Sequence, residues 1–177
     1  MDKVWNRKVY KGGVSLISKD EFCRQIRIYE QAMYSLAFSI LKNDTDVGDV
    51  ISEAIYRAYK NLDTLKNIEV FKCWILKIVH NTAVDYIRKR SKILFLDEAN
   101  LVSDMCETSL VTKISLKDAL NRLKQPYRTV IILFYYEDLS ISQISKIIDI
   151  PTANVKQRLA RARKQLKEIL KEDFIDE

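Results

Sequence analysis

From Phe22 onward the apolar residues of the chain recur every three or four positions: Phe22, Ile26, Tyr29, Met33, Leu36, Ala37 and Ile40. That spacing puts them on one face of an α-helix. The polar stretch KNDTDVGD (residues 42–49) interrupts the pattern, and Asp44, Thr45 and Asp46 are each able to cap a new helix. The apolar positions resume at Val50, Ile51, Ala54, Ala58 and Leu62, and DTLKNIE (residues 63–69) reads as a polar connection. A third helix is predicted from Phe71 to Arg90, with Phe71, Trp74, Ile75, Ile78, Val79, Ala83, Tyr86 and Ile87 as its buried stripe.

The pattern lapses between Ser91 and Leu110, where Asp97, Glu98, Asp104 and Glu107 gather. Such a stretch exceeds the loops found inside small domains and reads as a linker. Helical spacing returns over Lys113–Leu123, and again through Val130, Ile131, Leu133 and Phe134 after Gln125-Pro126, a proline suited to a first helical turn. The last pattern is ISQISKIIDIPTANVKQRLARARKQL, Ile141 to Leu166. The expected fold is all-α, two small helical domains joined by a flexible acidic linker. Residues 1–18 form an N-terminal extension turning at Gly12-Gly13, 19–92 the first domain, 93–111 the linker and 112–177 the second domain.

Composition narrows the function. Hydrophobic residues make up 47% and charged residues 31%, as in a folded soluble protein. The formal charge of +6 is uneven: residues 1–90 carry sixteen basic and eleven acidic groups, 91–110 one and four, and 111–177 thirteen and nine. Two basic blocks flank an acidic strip, which suits a polyanionic partner. Cys23, Cys73 and Cys106 are odd in number and lack metal-ligand spacing, as expected of reduced thiols in the cytoplasm. No apolar run approaches the roughly 20 residues of a membrane span, so no direct membrane insertion is expected. The N-terminus is no secretory signal. With His80 the single histidine, and no phosphate loop or nucleophile elbow, no enzyme, cofactor or metal site is expected.

Thr152 to Lys167 holds six basic side chains and no acidic one. On a helical wheel Val155, Leu159, Ala162, Leu166 and Leu170 form one inward stripe. Gln157, Ala160, Arg161 and Lys164 lie opposite, with Lys156 at the edge. A basic helix face is often merely solvated. Here a preceding helix with Ile144, Ile147 and Ile148 inward, and the short turn Asp149-Ile150-Pro151, make a helix-turn-helix whose second helix enters the major groove. Arginine and glutamine read base edges, while the other cations neutralise phosphates. The candidate duplex-reading set is Asn154, Lys156, Gln157, Arg158, Ala160, Arg161 and Lys164. Asp149 stands where glycine is usual, but aspartate tolerates the left-handed conformation.

The first half has its own chemistry. Asp49 and Glu53, one helical turn apart, make an anionic spot. FKCWILKIVHNTAVDYIRKRSK joins aromatics to Arg88, Lys89 and Arg90, a mixture suited to unpaired DNA. Trp74 and Phe71 are expected in the core, and His80 is assigned no role.

From about Phe22 to Leu170 the chain resembles a sigma-70 family factor of the compact extracytoplasmic function (ECF) group. DVISEAIYRAYKNLDTL is similar to the family's polymerase-clamp helix, FKCWILKIVHNTAVDYIRK to its promoter-opening and minus-10 segment, and DLSISQISKIIDIPTANVKQRLARARKQL to its minus-35 reader. The resemblance implies that Asp49, Ser52 and Glu53 bind core RNA polymerase, with Ser52 standing where the family has glutamine. It implies that Asn81 holds a flipped minus-10 base beside the loop Leu62–Val70, with Asp85, Arg88 and Lys89 along the promoter-facing surface. The implied partners are core RNA polymerase, promoter DNA both duplex and single-stranded, and a membrane-associated anti-sigma factor. Two other readings stand beside it: a dimeric helix-turn-helix regulator, and a helical interaction protein that binds no DNA.

Overall fold

Ser18 accepts a hydrogen bond from the Glu21 backbone N–H at 3.1 Å and so caps α1 (Lys19–Ile28). The computed structural model describes residues 17–96 and 116–172, with the side chains of 92–96, 117 and 172 left aside. Every regular element among the described residues is helical. The chain divides into two compact units: one reaches Ala83 and takes in Lys146–Ile148, the other holds the remainder.

The single helix expected from Phe22 to Ile40 is two, α1 and α2 (Glu30–Leu41), meeting at Tyr29. Tyr29 leaves helical geometry at φ −104°, ψ 12°, yet its N–H still reaches the Gln25 carbonyl and its carbonyl accepts from Met33. The result is a one-residue kink, and the Tyr29 ring stacks on Phe71 with centroids 6.0 Å apart. Helix α3 (Asp44–Lys60) is capped by Asn43, one residue before the expected caps. Asn43 is extended, and its side-chain oxygen meets the Asp46 N–H at 3.0 Å. Asp44 and Asp46 then sit in the first turn, where the helix dipole favours anions. Asp44 also accepts a hydrogen bond from the Tyr34 phenol, which ties α2 to α3 and holds that phenol above its ordinary pKa.

Packing follows the periodicity closely. Met33, Leu36 and Ala37 of α2, and Val47, Val50, Ala54 and Ala58 of α3, are buried. The small alanines let the two helices lie close together. The connection after α3 is less polar than it reads, because Leu62 and Leu65 are buried and anchor two short 3-10 turns, Leu62–Thr64 and Ile68–Val70. Helix α4 (Phe71–Leu96) outruns its expected end at Arg90. Residues 93–96 of the expected linker thus belong to a helix, whereas 97–111, residues 1–16 and the Gly12-Gly13 turn lie outside the described residues.

The buried stripe of α4 differs from the expected one. Phe71, Ile75, Val79 and Ala83 are inside, joined by Leu76 and Thr82. Trp74, Ile78 and Tyr86 are only half-buried, and Ile87 is 40% exposed. Trp74 packs by one side against Phe71, centroids 5.6 Å apart, and is not an interior residue.

In the C-terminal part, α5 (Leu116–Arg122) is followed by α6 (Tyr127–Ile131), which continues as a π-helical turn over Ile132–Tyr136. Arg128 is buried, and its guanidinium donates to the carbonyls of Leu120, Asn121 and Leu123 at the end of α5. It thereby satisfies groups that a helix end leaves unpaired. Desolvation lowers its pKa below the usual guanidinium value. Helices α7 (Ile141–Ile148) and α8 (Thr152–Glu172) complete the fold.

Candidate nucleic-acid interface

Local chemistry sets the α7–α8 pair. Ser140 and Gln143 form a reciprocal capping box at the start of α7, with bonds of 3.2 and 2.8 Å. At its end Asp149 adopts the left-handed conformation, φ 53°, ψ 51°, and its N–H bonds to the Ser145 carbonyl. The Ile150 N–H reaches the same carbonyl at 3.2 Å, while the Ser145 hydroxyl donates to the Ile150 carbonyl at 2.6 Å. The turn is therefore locked from both sides. Pro151 then accepts from the N–H groups of Asn154 and Val155, starting α8.

On α8, Val155, Leu159 and Ala162 are buried, and Leu166 and Leu170 half-buried. Asn154, Lys156, Gln157, Ala160, Arg161 and Lys164 are all exposed, while Arg158 is half-buried. Asn154, Gln157, Arg161 and Lys164 follow one another at spacings of three and four, a single row along the helix. Ala160, beside that row, leaves room for a duplex to come close. Lys164 lies 3.9 Å from Glu168, a loose contact that leaves its charge available to phosphate. Arg163 points elsewhere: its guanidinium sits 5.9 Å from the ring centres of both Phe134 and Tyr135. Charge counting along the sequence does not separate Arg163 from Arg161; the helical wheel does, and the packing against Phe134 and Tyr135 shows where Arg163 goes.

In the N-terminal part Asp49, Ser52 and Glu53 are exposed on α3. A Cβ built at Gly48 meets no atom within 4 Å, so the surface beside them is open. The Ser52 hydroxyl donates to the Gly48 carbonyl at 2.9 Å, and Glu53 pairs with Arg57 at 2.7 Å. Arg57 was missed in the sequence, although Glu followed by Arg four residues later is a known helix pairing.

Asn81 is exposed on α4, its amide oxygen 3.4 Å from His80 Nδ1. That separation is too long to hold the amide firmly. Asp85 is half-buried and Arg88 and Lys89 are exposed, and the three continue the row from Asn81 along α4. In the loop before α4, the Asn67 side chain accepts from the Glu69 N–H at 2.9 Å and donates to its carboxylate at 3.0 Å. Asp63, Thr64 and Lys66 are exposed there. Among the described residues no group of three or more His, Cys, Asp or Glu is placed to hold a metal. No described helix is long and apolar enough to cross a membrane.

Among the described residues every element is helical, and a helix-turn-helix with an outward basic row is the arrangement by which DNA-binding transcription proteins enter the major groove. Residues 26–93 match the family model for sigma-70 region 2, and residues 113–166 that for sigma-70 region 4. The chain is 36% identical over 148 residues to the RNA polymerase sigma factor SigV of Bacillus subtilis, covering 82% of this chain and 89% of that protein. It is 31% identical over 170 residues to the ECF sigma factor SigW of the same organism, covering 87% and 91%. The same fold occurs in the sigma factor RpoE of Bartonella quintana, solved in complex with the anti-sigma factor NepR. There the TM-score is 0.71 at 23% identity, over 87% of this chain and 98% of that one. CnrH, solved with the cytosolic domain of CnrY, aligns with a TM-score of 0.65 at 22% identity over 90% and 93%. The chain belongs to the sigma-70 family, in its ECF group. It directs promoter-specific initiation by RNA polymerase.

Proposed function

We propose that the chain divides this work between a domain at 19–92 and one at 112–177, with each site made of side chains and no catalytic group. The α3 surface of Asp49, Ser52 and Glu53 binds core polymerase. The row Asn154, Gln157, Arg161 and Lys164, flanked by Lys156, Arg158 and Ala160, reads the minus-35 duplex. Asn81, Asp85, Arg88 and Lys89 meet the minus-10 strand once it is unpaired, with the loop Leu62–Val70 beside them. Holding an extruded base offsets unstacking and unpairing that cost a few kcal/mol. The observation that carries this reading is the exposed row on α8 opposite Val155, Leu159 and Ala162.

A membrane-associated anti-sigma factor holds the protein inactive in the cytoplasm. The solved complexes of RpoE with the anti-sigma factor NepR and of CnrH with the cytosolic domain of CnrY support an anti-sigma partner; its membrane association rests on the family resemblance alone. The experiment is to mix the purified chain with core polymerase and genomic DNA and to sequence the bound fragments. Recovery of fragments sharing two elements at fixed spacing is expected. Fragments enriched without polymerase, or sharing a single inverted repeat, would point instead to a dimeric regulator.

A further inference from the structure

Helix α3 turns one row of side chains outward along most of its length. Val47, Val50, Ala54 and Ala58 face the core. On the far side Asp49, Glu53, Tyr56 and Lys60 follow one another at spacings of four, three and four, and all are exposed. The polymerase assignment above uses only the first half of that row. Its second half is built differently: Tyr56 is 52% exposed, and the Lys60 ammonium lies 4.5 Å from the centre of its ring. A lone exposed aromatic is ordinary on a protein surface. This one stands two helical turns beyond Asp49, about 10 Å at 1.5 Å per residue. That is well inside the patch of roughly 800 Å² that a specific protein contact covers on each partner.

We infer that Tyr56 is the apolar anchor of the contact with core RNA polymerase, an inference that rests on the reading of Asp49 and Glu53 as part of that contact. Exposed charges steer and orient a partner but add little affinity once salt screens them. Glu53 is in addition already partnered by Arg57. Affinity on such a surface comes from a rigid side chain that sheds its water on docking, the role in which tyrosine is enriched at interfaces. Lys60 lies over one face of the ring and restricts it before docking, which lowers the ordering cost of association. The matching segment of polymerase is accordingly basic opposite Asp49 and Glu53, and carries an apolar side chain against Tyr56 about two helical turns further on.

The test titrates the fluorescently labelled full chain with core polymerase at low and at high salt. It compares the parent with Tyr56→Ala, Tyr56→Phe and Asp49→Lys/Glu53→Lys, and thermal melts of the free chains check that each is folded. Tyr56→Ala is expected to weaken assembly by about tenfold or more. Tyr56→Phe, which keeps the ring, should recover most of that loss. The ratio between parent and alanine variant should persist at high salt, because burial of a ring is not screened as charge is. Parent-like assembly by Tyr56→Ala beside a loss in the charge variant would overturn the inference and leave the polymerase role of Asp49 and Glu53 standing. A tyrosine effect that disappears at high salt would overturn it too, since Tyr56 would then act only by placing the charge of Lys60. Parent-like assembly by the charge variant would remove the reading itself, and the inference with it.

Discussion

Glu53 and Arg57 share an ion pair at 2.7 Å one turn apart on the outer face of α3, so one of the two carboxylates at the anionic spot is already partnered. Among the described residues Asp49, one turn earlier, has no ion-pair partner. Asp49→Lys combined with Glu53→Lys should abolish co-purification with core polymerase. Singly, Asp49→Ala should weaken assembly more than Glu53→Ala, since Arg57 already offsets the Glu53 charge. Both side chains of the pair are partly exposed, so thermal stability should change by less than about 1 kcal/mol in each variant. Pull-down titrations beside thermal melts check this. Undiminished co-purification of the double variant removes α3 from the polymerase contact.

Two neighbours on α8 should behave differently. Arg161 has the planar fork that matches a guanine edge, so Arg161→Ala should cost about 1–3 kcal/mol and relax preference at one minus-35 base pair. Lys164→Ala should weaken binding evenly across sequences and lower the salt slope by about one counterion. Binding titrations of the holoenzyme on a set of single-base promoter variants, at several salt concentrations, separate the two. An equal loss on every sequence from both substitutions would move base reading to Lys156 or Gln157.

Arg128 offers a test of the fold beneath that helix. Its guanidinium serves carbonyls of Leu120, Asn121 and Leu123 from a buried position. Arg128→Met keeps much of the volume but strands those acceptors, and should destabilise the C-terminal part by roughly 2–4 kcal/mol. Arg128→Lys should rescue little, because an ammonium cannot reproduce the fork. Urea unfolding followed by circular dichroism reads both. A loss below about 1 kcal/mol for the methionine variant would mean that the carbonyls find water instead.

What the sequence shows and what it hides divide along physical lines. The helices of the buried stripes were legible because burial imposes a period: Val155, Leu159 and Ala162 lie inside as their spacing demands. The Asp149 turn was legible too, since a single left-handed residue has a short list of candidates. The kink at Tyr29 was not, because the apolar period runs through it undisturbed and only the fit of its ring against Phe71 reveals it. Nor was the half-exposure of Trp74, which belongs to the apolar run of α4 but lies to one side of the face that Phe71, Ile75, Val79 and Ala83 bury. Within the candidate sites, residue type and helix face were readable one helix at a time. Pairings such as Glu53 with Arg57 and Arg163 with Phe134 depend on where side chains settle, and for the latter on a π-helical turn that no local signal announces.

The remaining prediction separates duplex reading from strand opening. Asn81 is exposed and held only loosely by His80, so its amide, a donor and an acceptor together, is available to a base's pairing edge. Its neighbours Thr82 and Ala83 are buried and fix that stretch of α4, so removing the amide leaves the helix in place. Asn81→Ala should therefore keep the fold, polymerase binding and protection of the minus-35 element. Open complex should fall, read as lower permanganate reactivity of minus-10 thymines. A promoter already mismatched across the minus-10 element should restore much of the lost transcription, because the unpairing cost that the amide helps to offset is then absent. Asn81→Asp sharpens the test, since it keeps the acceptor, loses the donor and adds a charge facing phosphate; it should open DNA no better than the alanine variant. Equal opening of linear promoter DNA by parent and alanine variant would return Asn81 to the ordinary surface and leave the loop Leu62–Val70 as the sole candidate for holding the base.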